Sequence, residues 1–137
     1  MYTIERHVGR LIEIRQRSPV PILIDEALAF RDTLLRVVGE TTGLVVIVAD
    51  IRHAVLFSPD AAEVLSSMMK SVNDRLERSA IVLPSERPTL VLQIERLVRA
   101  ARKQGRRTFR TASAAAAWLS EVLTPAETAR LTAFLAD

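Results

Sequence analysis

Residues 44–65 read LVVIVADIRHAVLFSPDAAEVL, and the opening of that stretch decides the architecture. Leu44, Val45, Val46, Ile47, Val48 and Ala49 are all apolar, and most are β-branched. A strand covered on one face alternates apolar with polar residues, whereas a strand covered on both does not. The run therefore predicts a central strand. Just past it stand Asp50, Arg52 and His53, and then Ser58-Pro59-Asp60. That triplet predicts a helix start. The Ser58 hydroxyl can accept an orphan N–H, Pro59 needs no partner in the first turn, and Asp60 faces the positive helix end.

Working outward, residues 2–8 and 11–16 predict an antiparallel hairpin pivoting on Gly9-Arg10, with Ile12 and Ile14 alternating against Glu13 and Arg15 as on a half-exposed strand. The prolines of SPVP (18–21) break the chain. A first helix is expected from about Asp25 to Val38, burying Leu28, Leu34, Leu35 and Val38. The second helix should bury Ala61, Leu65, Met68, Val72 and Leu76. SAIVLP (79–84) predicts the next strand. A third helix follows with Leu90, Val91, Ile94, Leu97, Val98 and Ala101 inward, ending at Gly105. RTFR (107–110) leads as a short strand into a helix with Ala117, Trp118 and Leu119, where Trp118 is expected as a core anchor. Thr124, Pro125 and Glu127 predict a capping box that opens the last helix. The sum is an α/β domain over residues 1–137, with a mixed sheet of about five strands that opens on a hairpin and is covered by helices.

Composition narrows the chemistry. The chain has no cysteine, which excludes disulfides, thiolate metal sites and a cysteine nucleophile. Its two histidines, His7 and His53, are too few for a histidine-rich metal centre, and no metal or cofactor is expected. The charged start MYTIERHVGR does not suit a signal peptide, and no apolar run is long enough to cross a bilayer. A cytoplasmic protein without a membrane span is expected. The net charge of +3 permits an anionic partner without requiring one.

GRLIEIR (9–15), LVVIVADIR (44–52), RSAIVLP (78–84) and RRTFRTASAAAAWL (106–119) stand in an order that resembles the SpoIIAA-like family of the STAS superfamily. That family is related in shape to CRAL-TRIO lipid-transfer domains. The resemblance spans residues 1 to about 122 and leaves 123–137 as an added carboxyl-terminal helix. It implies a small α/β regulatory domain, often paired. STAS proteins that antagonise anti-sigma factors carry an Asp-Ser-Ser/Thr-Gly-like motif with a phosphorylated Ser at the strand-to-helix junction. Here that junction is FSPD (57–60). Ser58 stands at about the right place, but the glycine and tandem hydroxyls are missing, which counts against a phospho-switch.

Three sets of residues are candidates for function. Asp50, Arg52, His53, Ser58 and Asp60 lie past the carboxyl end of a central strand, where open α/β sheets bind ligands. Their plainer reading is mutual pairing, loop hydrogen bonds and a helix cap. Arg96, Arg99, Arg102, Lys103, Arg106 and Arg107 crowd the end of the third helix as a candidate anion or partner patch. Their plainer reading is a solvated face that complements the helix dipole, because aromatics are not interleaved. Direct DNA binding is not expected without a helix-turn-helix or zinc pattern. Val64 and Met69 extend the apolar stripe of the second helix and form a candidate dimer face. With no phosphate loop, nucleophile elbow or metal constellation, the sequence predicts a non-enzymatic regulatory or scaffolding domain acting by protein contact, with a homodimer as the expected assembly. The alternative is a carrier or sensor of a small apolar or anionic ligand, lipid-like or nucleotide-like, beneath the second and third helices.

Overall fold

Val45, Val46 and Val48 have no exposed surface, because their strand is central and both its faces are covered. The computed structural model describes residues 1–136. Its strands are β1 (Tyr2–Glu5), β2 (Leu11–Arg17), β3 (Val45–His53), β4 (Leu76–Val82) and β5 (Arg106–Phe109). They form one sheet in the order β1-β2-β3-β4-β5. The β1–β2 pair is antiparallel and the other pairs are parallel. The helices are α1 (Ile24–Glu40), α2 (Pro59–Val72), α3 (Pro88–Ala101), α4 (Ala112–Ser120) and α5 (Pro125–Leu135).

Each right-handed crossover steps one strand further the same way, so α1, α2 and α3 fall on one face of the sheet. They enclose the larger core around Ile12, Ile47, Ile81, Leu34 and Leu65. The chain then turns back, and α4 and α5 cover the opposite face over Leu11, Val46, Val48, Ala80 and Val82. Register fixes which polar residues share a face. Ile12, Ile47, Ser79 and Arg106 form one row across the sheet toward α1–α3. Arg15, Asp50, Val82 and Phe109 form another row, on the side of α4 and α5.

Several expectations from sequence need correction. β2 is not half-exposed: Glu13 is 1% exposed, because α5 lies on the face that its charged residues occupy. Leu76 belongs to β4, since a 3₁₀ turn at Asn73–Arg75 ends the helix before it. α3 stops at Ala101, where Arg102 turns left-handed with φ 52°, four residues ahead of Gly105. Leu35 points away from the core and is 39% exposed, while Phe30 and Val37 take the inward positions of α1. β1 ends at Glu5, so the hairpin's first arm is shorter than residues 2–8. Trp118 is half-buried at the rim of the second core, with Phe109 beside it and the Arg78 and Arg107 guanidinium groups over its ring. Among the described residues, no helix is long and apolar enough to cross a membrane.

Candidate functional site

At the end of β3, Asp50 is 1% exposed and both its oxygens are bonded. Oδ1 accepts from the Arg52 backbone N–H at 3.1 Å and from Arg52 Nε at 2.9 Å. Oδ2 accepts from Arg52 Nη2 at 3.0 Å and from Arg15 Nε at 3.3 Å. Burial works to raise the pKa of Asp50, but the hydrogen bonds and charge of Arg52, with Arg15, outweigh it and hold the carboxyl below its ordinary range. Both arginines then reach across to α5, Arg15 to the Phe134 carbonyl and Arg52 to that of Leu135. Arg15 also lies 4.2 Å from the Phe134 ring centre. This cluster caps the carboxyl end of α5, where cations suit the free carbonyls. It is a strap, and the plainer reading of Asp50 holds.

The alternation of a strand separates the rest of that set. Asp50 and Arg52 share one face, and His53 sits exposed at the strand's end with its carbonyl accepting from the Ser18 N–H. Asp50 and His53 are not brought together as an acid–base pair. Ser58 is the N-cap of α2: its Oγ accepts from the Ala61 N–H at 3.3 Å and donates to Asp60 Oδ1 at 2.6 Å. That bond from Ser58 holds the exposed Asp60 carboxyl below its ordinary range. The loop before the helix is clamped by a residue that sequence reasoning missed. The Gln93 amide of α3 bonds both the N–H and the carbonyl of Phe57, at 2.9 and 2.7 Å.

The basic segment does not form one patch. Arg96, Arg99 and Arg102 are exposed and Lys103 is half-buried. Arg106 and Arg107 point to opposite faces of the sheet, as strand neighbours must. Arg107 reaches Trp118, with its guanidinium carbon 4.9 Å from the ring centre. Arg106 is 5% exposed, which removes it from any surface patch. The candidate dimer face changes too. Met69 is buried at 8% in its own core, because it packs down beside Met68, whereas Val64 is half-buried and lines a surface groove. That groove runs between α1 and α2 over Ile24, Leu35 and Val64, with Arg31, Asp32, Asp60 and Glu63 on its banks.

A second feature lies inside. Between the sheet and α1–α3 is a cavity of about 70 Å³. Its walls are apolar except for Gln16, Ser79 and Arg106. The signal for Gln16 was its period: positions 12, 14 and 16 face the same core, and Gln16 continues two isoleucines. Among the described residues no group of His, Cys, Asp and Glu could hold a metal ion. No family model matches this chain, and no curated protein matches it either.

Proposed function

We propose that the chain is a non-enzymatic regulatory or scaffolding domain of the cytoplasm, acting by protein contact and paired with a second copy of itself through the α1–α2 groove. One observation carries this reading. The groove has an apolar floor of Ile24, Leu35 and Val64, with the Arg31–Asp32 ion pair on its α1 bank and the Asp60 and Glu63 carboxylates on its α2 bank. Under a two-fold axis, α1 of one copy faces α2 of the other. The two apolar floors then meet each other, with Arg31 free to turn from Asp32 toward Asp60 and Glu63 of the second copy. Leu35 and Val64 become the buried centre in place of the Val64–Met69 face.

Asp50 is committed to structure, since both its oxygens are taken by Arg52 and Arg15. The resemblance to paired SpoIIAA-like domains supports the pairing. Sedimentation velocity at micromolar concentration should give twice the chain mass of 15.2 kDa. Leu35→Glu and Glu63→Arg, both at exposed positions, should each return the protein to monomer while its circular dichroism is unchanged. A wild-type monomer at that concentration would overturn the pairing.

A further inference from the structure

Beyond the carboxyl ends of β2 and β3 lies an open cleft of about 480 Å³. Arg17, Arg52, His53 and Arg87 line it, and among the described residues no carboxylate does. Strand order opens no crevice at this end of the sheet. The cleft forms instead where β2 and β3 stop, the turn at 18–21 leaves the sheet and α3 begins. Backbone bonds fix its base: the Arg17 N–H donates to the Met1 carbonyl at 2.9 Å, and the Ser18 N–H to the His53 carbonyl at 3.2 Å. Arg17 and His53 are register partners on adjacent strands, which lie about 5 Å apart. Ser18 is buried and turns its hydroxyl onto the Val20 carbonyl at 2.6 Å, which holds the turn against that base.

Two of the positive groups at the cleft are already spent, Arg52 on Asp50 and the Met1 amine on Glu26 at 3.2 Å. Arg17, His53 and Arg87 are exposed, and among the described residues their side chains have no hydrogen bond or ion pair. An exposed arginine without a partner is ordinary by itself. Arg96, Arg99 and Arg102 are also exposed, but they belong to one helix and its end. Arg17, His53 and Arg87 come from three elements and meet in one hollow. Arg87 is also the N-cap of α3, whose first turn has no capping side chain and no acid, so the positive helix end adds to the same field.

We infer that this cleft binds the phosphate group of an organic phosphate monoester, with Arg17 and Arg87 on its oxygens, a ring N–H of His53 donating to it, and Met1 and Pro19 against the organic part. Charge selects the group. A phosphate monoester carries about −1.5 to −2 near neutral pH, which two free guanidinium groups match and a single carboxylate does not. The forked donors of arginine also suit phosphate oxygens. Size selects an ester over the bare ion, because clefts of about 300–1,000 Å³ hold small molecules and Met1 and Pro19 supply an apolar wall. The same group stands on soluble phosphate esters and on the phosphatidate headgroup. The cleft is separate from the α1–α2 groove and does not depend on the pairing proposed there.

The test uses the full chain with nitrogen-15 label, titrated with phenyl phosphate at about pH 7.5, where the ester is mainly dianionic, against sodium chloride of equal ionic strength. Saturable shifts at Arg17, Ser18, His53 and Arg87 are expected, weakening as salt rises. Phenyl sulfate, of the same shape with one charge fewer, should bind about tenfold more weakly, and inorganic phosphate several-fold more weakly. Arg17→Gln and Arg87→Gln, both at exposed positions, should each cost about tenfold while circular dichroism is unchanged. Vesicles of phosphatidylcholine with and without phosphatidate separate the two sources. Binding to phosphatidate vesicles that both variants lose, with no response to phenyl phosphate, would keep the phosphate assignment and place the group on a lipid. Saturation by neither probe, or binding that both variants leave unchanged, would overturn the site. Equal binding of phenyl sulfate would overturn the choice of a phosphate monoester.

Discussion

Ser58 opens α2 just past the central strand, and its hydrogen bonds are those of a helix cap. The Ala61 N–H has two acceptors, Ser58 Oγ at 3.3 Å and Asp60 Oδ1 at 2.9 Å. Ser58→Ala therefore leaves that donor satisfied. The cost should fall at the lower end of the capping range, about 0.5–1 kcal/mol in urea unfolding. A loss above about 2 kcal/mol would show that Ser58 does more than cap. Such a cap was legible because it is local: a hydroxyl, a proline and an acid in sequence specify the first turn by themselves. Gln16 and Arg106 were not legible in the same way. Gln16 carried only a weak local signal, as the next step in the period of Ile12 and Ile14, and for Arg106 only its pairing with Ser79, with α1–α3 placed above, shows that it faces inward.

The same difference between local and long-range information governs α5. Its start was readable from Thr124 and Glu127, whose capping box is present, with Glu127 Oε1 taking the Thr124 N–H at 2.9 Å. Its destination was not, because the contacts that dock it join residues more than a hundred positions apart. Glu127 Oε2 accepts from the Arg10 N–H at 2.8 Å, and Arg130 grips Glu13. The charges of β2 resembled a solvent face because charged residues seldom lie under a helix. Gly9 fits this docking: it is left-handed at φ 58°, and a Cβ there would collide with the Glu127 carboxylate. Asp50→Asn tests the strap at the other end of the helix. It preserves shape but removes the charge on which Arg52 and Arg15 converge, and losing one partner of a buried pair costs about 3–5 kcal/mol. Urea unfolding should show that loss, and amide exchange should quicken along α5 before α1–α3. A loss below about 0.5 kcal/mol, within the range of neutral surface changes, would mean that apolar packing alone holds α5.

At the scale of the whole molecule, strand order removes the usual ligand crevice. Open parallel sheets bind at the point where the order reverses, and the sheet here steps one way from β2 to β5. What remains are the two helical layers, and they differ in what holds them. The α1–α3 layer is bound chiefly by apolar burial, whereas α5 is bound also by carboxylates that must stay ionised. Acid should therefore act on one layer first. For Glu127, burial works to raise the pKa, but the Thr124 and Arg10 N–H groups, with the Arg10 charge, hold it below its ordinary range. Asp50 is lowered as well. A depressed folded pKa contributes stability that is fully present above the unfolded value and is lost as pH falls through the folded one. Ordinary carboxyls titrate near about pH 4. The unfolding midpoint in urea should thus be flat from neutrality to about pH 5, then fall steeply as these groups protonate. In Asp50→Asn that acid limb should be shallower, because one linked proton has been removed. Exchange of α5 amides should rise before that of the β3 amides. A midpoint at pH 3 equal to that at pH 7, or an acid limb unchanged in Asp50→Asn, would show that these carboxylates do not hold the second layer in place.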